Sequence, residues 1–208
     1  MKYLKILLLG FILSASLYAH PHLFISTACT LEFEEGQIKG LWVEFEFDEY
    51  FSSEINLKYD ADGDGIYNEG ETAEVYNNAF INLQYYNYFT FIRHEEEVIY
   101  PEITEKFSVR CEGKDKIIYD FFIPLPSYPY KDIYIALYDA TFFCSCEFQE
   151  EYFSVTGTGI PEYSQSKAVN DNLSIHYNPQ AGTEDIGTSQ DWSLGLLTYI
   201  PEEIHIQF

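Results

Sequence analysis

The chain has 208 residues, with 34 acidic against 11 basic side chains and a formal charge of −23. This balance argues against a nucleic-acid partner, because binding a polyanion needs a basic patch that trades counterions. It suits cations and basic partners instead. At 47% apolar and 18% aromatic residues, the chain can bury a sizeable core and falls outside the disordered class.

The first nineteen residues, MKYLKILLLGFILSASLYA, have the layout of an export signal. Lys2 and Lys5 open it, an apolar run follows from Ile6 to Leu13, and small residues lead to Ala19. The run is short for a membrane span. Residues 1–19 are therefore expected to be a cleaved signal peptide and the mature chain to begin at His20, an uncleaved anchor being the alternative. In an exported chain, Cys29, Cys111, Cys144 and Cys146 make an even count that favours disulfides. Disulfides or buried thiols are the plainer account. Cys144 and Cys146 share one face of a strand, where a soft-metal site is the sharper reading.

From Leu23 to Phe33 the odd positions are mostly apolar, the period of a half-buried strand. Glu34 to Gln37 reads as a turn. Leu41, Val43, Phe45 and Phe47 then alternate with Trp42, Glu44, Glu46 and Asp48, completing a hairpin. Asp48 to Tyr59 reads as a short helix, with Phe47, Phe51 and Ile55 four apart. After a loop, Tyr76, Ala79, Phe80 and Leu83 predict an amphipathic helix over 72–88. Strands are expected at Tyr88–Arg93, Val98–Tyr100, Lys106–Cys111, Ile117–Ile123, Ile133–Tyr138 and Phe142–Phe148. Gly113-Lys114-Asp115 is a turn and Pro124 to Pro129 a stiff connector. Past Gly157 the composition becomes polar and small. Residues 157–208 are expected to be a partly irregular extension ending in a strand near Ile204–Phe208. The whole pattern predicts a mainly β, α+β fold: an antiparallel sandwich-like domain over 20–156 with a helix–loop–helix inserted at about 48–89.

Between the two expected helices lies DADGDGIYNEGE, Asp60 to Glu71, which serves every position of the twelve-residue EF-hand loop. Asp60, Asp62 and Asp64 offer carboxylates, Gly65 permits the sharp turn, and Ile66 offers its carbonyl. Asn68 acts through a water and Glu71 supplies a bidentate carboxylate. Four carboxylates this close repel one another without a cation, so calcium is the expected ligand. Sensors pair two such loops through an aliphatic eighth residue and expose methionines. Here a single loop has Tyr67 at its eighth position, and the sole methionine is Met1. The loop therefore reads as a structural fastener.

His20-Pro21-His22 is the second informative stretch. After cleavage at Ala19, His20 would carry both an α-amine and an imidazole. Pro21 has no amide hydrogen, which excludes the square-planar amino-terminal copper motif. His22 shares a strand face with His20, and a turn near Glu35-Gly36 would bring it nearly opposite Asp48 and Glu49. A transition-metal site of His20, His22 and one of those carboxylates follows, its imidazoles suited to zinc, copper, nickel or iron. The plainer reading is a solvated chain start. His94, His176 and His205 are isolated and read as surface or satisfied histidines.

His-Pro-His after an export signal, then Phe47-Asp48-Glu49-Tyr50-Phe51-Ser52, the acidic loop and Tyr138-Asp139-Ala140-Thr141-Phe142-Phe143 resemble the domain of unknown function 1007 family over roughly residues 20–156. That family is described as periplasmic components of ABC-type transport systems. The resemblance implies a periplasmic role in transition-metal transport beside a membrane metal transporter. It implies His20, His22, Asp48 and Glu49 as one set of positions, and Asp60, Asp62, Asp64 and Glu71 as another. The Glu44-Phe45-Glu46 stretch departs from the family's habit of a His or Trp before the Phe-Asp-Glu segment. The alternative function is a calcium-stabilised envelope interaction module. No nucleophile elbow, phosphate loop or zinc-protease motif points to an enzyme.

Overall fold

The computed structural model describes residues 21–94, 97–113, 116–126, 131–180 and 187–208. The first alternating runs form β1 (Leu23–Glu34) and β2 (Gln37–Phe47). Ile25, Thr27, Cys29, Leu31 and Phe33 are buried on one face of β1, and Thr27 lies opposite Phe45, Cys29 opposite Val43. Glu35 and Gly36 close the hairpin at φ 52° and 80°, the left-handed pair that matches the strands' twist.

The hairpin sits within a five-stranded sheet of order β5-β6-β2-β1-β8, where β5 is Glu105–Glu112, β6 Lys116–Pro124 and β8 Cys144–Gly157. β8 runs parallel to β1, whereas β2 and β6, and β5 and β6, pair antiparallel. β8 ends where Gly157 passes the backbone of Phe33: a Cβ there would lie 1.9 Å from the Phe33 carbonyl oxygen. Only glycine permits that approach.

The second five-stranded sheet has the order β4-β3-β7-β13-β9, with β3 Thr90–His94, β4 Glu97–Ile99, β7 Asp132–Leu137, β9 Ser164–Val169 and β13 Glu202–Gln207. A small third sheet joins β10 (Ile175–Tyr177), β11 (Thr188–Ser189) and β12 (Leu197–Tyr199). Residues 157–208, expected as a partly irregular extension ending in a strand, carry five strands among the described residues. The terminal β13 lies between β7 and β9, its Ile204 opposite Ile135 and its Ile206 opposite Ile133, both fully buried. The period of Ile204 and Ile206 is visible in the sequence. β9, the polar edge strand SQSKAV, has its first four residues exposed, and a strand that buries no face carries no apolar alternation. One hydrophobic cluster, from Ile25, Leu31, Phe45 and Phe121 to Ile92, Ile135 and Ile204, spans both large sheets.

The insert consists of α1 (Glu49–Tyr59), α2 (Glu69–Asn78) and a 3₁₀ segment (Phe80–Phe89). Asp48 caps α1, accepting from the Phe51 amide at 2.9 Å. Asn68 and Glu71 form a reciprocal capping box on α2, satisfying amides that a helix start leaves open. The continuous helix expected to residue 88 stops at Asn78, and Ala79 departs to φ −125°, ψ −65°. Asn77 and Asn78 are weak helix formers whose amides compete for backbone partners. Further on, Asn87, Tyr88 and Phe89 all take positive φ, 50° to 54°. The break lets Phe80 turn fully inward, its ring 4.3 Å from Phe107 and 5.0 Å from Phe121.

Candidate metal centre

The loop between α1 and α2 is built by its own backbone. Asp60 accepts from the amides of Gly63 (2.9 Å) and Gly65 (3.0 Å), Asp62 from Asp64 (3.2 Å), and Asp64 from Ile66 (2.7 Å). Gly63 and Gly65 take φ 73° and 76°, turning the chain so that these amides face the carboxylates. Glu71 returns from α2: Oε1 accepts from the Ala61 amide at 2.9 Å and Oε2 from Asn68 at 3.1 Å. Asp60, Asp62 and Glu71 each present one oxygen within 4.8 Å of the others. This is the sole such grouping of carboxylate, imidazole or thiol ligands among the described residues. Asp64 lies outside that trio. The Asn68 side-chain oxygen is engaged with the Gly70 and Glu71 amides, and the Ile66 side chain is exposed.

Tyr67, the eighth loop residue, points into the protein. Its hydroxyl donates to Asn56 Oδ1 on α1 at 2.8 Å, and the Asn56 amide reaches Cys111 Sγ of β5 at 3.7 Å. Burial pushes the Tyr67 phenol up, and the nearby charge of Asp60 adds to it. The loop is thereby tied to the first helix and to a sheet edge.

The amino-terminal candidates are arranged differently. His20 lies outside the described residues. The His22 amide donates to the Phe143 carbonyl at 2.8 Å, and its ring packs on Phe143 at 4.8 Å between centroids. Phe24, rather than His22, lies opposite Asp48: the Asp48 amide donates to Phe24 O at 3.0 Å and the Phe24 amide to Asp48 Oδ2 at 2.7 Å. Both Asp48 oxygens are thus bonded to backbone amides, and Glu49 stands exposed in the first turn of α1. The early start of α1 carries the chain away before Glu49 can continue the ladder.

All four cysteines are free thiols, and Cys29, Cys144 and Cys146 are buried. Burial pushes the three buried thiols far above their ordinary value, which makes them poor nucleophiles. His94 Nδ1 lies 2.7 Å from Asp132 O, His205 Nε2 lies 3.0 Å from Asp132 Oδ1, and His176 Nδ1 lies 2.9 Å from Thr198 Oγ1. What sequence reasoning missed is a cavity of about 420 Å³ beside the insert, which brings Leu23, Phe47, Phe51 and Phe80 together with Phe143 and Asp139. The segment Asp139–Phe143 was visible as a motif, but not its place against the insert.

Fold and site define a mainly β, α+β domain that carries a helix–loop–helix with a preorganised acidic loop. The chain belongs to the family of proteins of unknown function designated DUF1007, which it matches over residues 5–208. That span takes in the C-terminal strands, beyond the reach of the resemblance visible in the motifs. Comparison with the curated proteins and with the solved structures gave no match.

Proposed function

We propose that this is an exported, periplasmic metal-binding protein with one structural calcium ion and an accessory or substrate-binding part in transition-metal transport. The carrying observation is the trio Asp60, Asp62 and Glu71, whose oxygens converge within 4.8 Å while backbone amides hold each carboxylate in place. Three carboxylates so close repel one another, and a hard cation relieves that repulsion. Calcium takes six to eight oxygen ligands in a flexible shell. The Asp64 carboxylate, the Ile66 carbonyl and a water held by Asn68 complete such a shell. The ion closes the loop that joins α1 to α2, and Tyr67 passes that order to Asn56. Calcium is the fastener.

The transport role draws its support from the family resemblance and from the ligands an amino-terminal His20 would offer: an amine, an imidazole and the imidazole of His22. Zinc, nickel, cobalt and copper suit such nitrogens. The test compares metal-stripped protein starting at His20 with a form carrying extra residues before it, each titrated calorimetrically with the four metals and with calcium. Transition-metal affinity should fall at least about tenfold in the extended form, a change of about 1.4 kcal/mol, while calcium binding stays the same. Equal, weak transition-metal binding in both forms refutes the transport part. Absence of calcium binding in both refutes the structural part.

A further inference from the structure

The cavity of about 420 Å³ lies between the insert and the strand ends of the first sheet, and the metal reading makes no use of it. Phe51 of α1, Phe80 and Leu83 of the 3₁₀ segment, Phe47 at the end of β2 and Phe143 before β8 form much of its wall. Asn82 and Tyr86, both exposed, also line it and mark its mouth. Protein interiors pack to the density of organic crystals and leave few voids larger than a water molecule. An apolar pocket of this size with a few polar groups is the form that small-molecule sites take.

The charge of the wall selects the ligand. Among the described residues the lining contains no lysine, arginine or histidine, and its one charged member is Asp139. Asp139 is 2% exposed. Its carboxylate accepts from the Thr141 amide and hydroxyl and from the Phe143 and Cys144 amides, which satisfy its lone pairs and leave its formal negative charge. Cys144 is also in the wall; burial pushes its thiol up, and the negative charges of Asp139 and Asp48 add to that. Aromatic faces carry negative quadrupoles that attract cations. An anionic amphiphile would lose its water here and meet one carboxylate and ring faces, with no cation in the described wall to pair it.

We propose that this cavity binds a hydrophobic organic cation, an amine or quaternary ammonium on an alkyl or aryl body. The aromatic wall takes the body, and the ring faces with the Asp139 field hold the charge. The cavity shares no lining residue with the acidic loop.

The test is calorimetric titration of the intact protein with octyltrimethylammonium, 1-octanol and octanoate below their aggregation concentrations. Saturable binding of the ammonium is expected, about tenfold tighter than the alcohol, with octanoate weaker still. Leu83→Trp, which fills the cavity, should weaken ammonium binding at least about tenfold. Asn82→Lys places a cation at the exposed mouth, where it leaves the core untouched, and should reverse the order of ammonium and octanoate. The proposal is overturned if octanol or octanoate binds as tightly as the ammonium. It is equally overturned if Asn82→Lys leaves the order unchanged, or if ammonium uptake does not saturate.

Discussion

Changing Glu71 to Gln separates what the metal contributes from what the helix start contributes. In the structure Glu71 does two jobs with two oxygens: Oε1 accepts from Ala61 and Oε2 from Asn68, which is half of the capping box on α2. Gln keeps one acceptor oxygen and is itself a capping-box residue, so about one hydrogen bond is lost, worth about 1 kcal/mol. In a chain of this size that lowers the melting temperature of chelator-treated protein by about 2–4 °C. The metal loses more, because the change removes a formal charge and the bidentate grip. Calcium affinity should fall by about 100-fold or more, about 2.7 kcal/mol. With free calcium at about 100 times the wild-type dissociation constant, binding stabilises the wild type by about 2.7 kcal/mol, a rise of about 5–10 °C. The assay is thermal unfolding of both proteins with calcium and with chelator. Wild type should show the rise and Glu71→Gln nearly none. An equal calcium-dependent rise in the two proteins refutes Glu71 as a ligand.

Tyr67→Phe removes the 2.8 Å bond to Asn56; chemical denaturation should show a loss of about 1 kcal/mol, with the number of calcium ions bound unchanged in a direct titration. Arg93 makes a two-pronged contact with Glu203, whose side chain is 4% exposed. Arg93→Met leaves that carboxylate buried without its cation and should cost about 3 kcal/mol in denaturant unfolding, much of it restored by adding Glu203→Gln. Burial pushes the Tyr138 phenol up to about 12. Its contribution is therefore complete below the ordinary tyrosine value of about 10 and is lost as pH rises through about 12. Tyr67 and Tyr199 are shifted in the same direction, so denaturant midpoints should decline above pH of about 10. At the acid end, hydrogen bonds from His205 and Gln207 hold the Asp132 carboxyl below the usual range. That stabilisation is present above pH of about 4 and is lost as pH falls through the lowered folded value; Asp132→Asn should flatten this limb of the pH–stability curve.

The parts legible in the sequence are those whose physics is local. Alternation in Leu23–Phe33 and Leu41–Phe47 is written by burial of one face, and the turn by the φ > 0 that Gly36 supplies. The acidic loop is legible because its ligands come from one short segment. Other features depend on partners far along the chain. The place of β13 between β7 and β9 is fixed by Ile204 and Ile206 meeting Ile135 and Ile133, and no local signal announces β9. The helix ends at Asn78, and Phe80 packs against the Phe107 and Phe121 rings, a tertiary contact that helical spacing does not encode. Asp48 meets Phe24 rather than His22, because it turns to cap α1. The cavity was not legible: Phe143 and Asp139 reach Phe47 and Phe51 only through the parallel pairing of β8 with β1, and no spacing within either segment encodes that meeting.

The most direct test of the calcium fastener is native mass spectrometry of metal-stripped protein given calcium, beside the Glu71→Gln variant. One calcium per wild-type chain is expected, removed by chelator and absent from the variant. A wild-type chain that stays metal-free, or a variant that takes up calcium equally well, contradicts it.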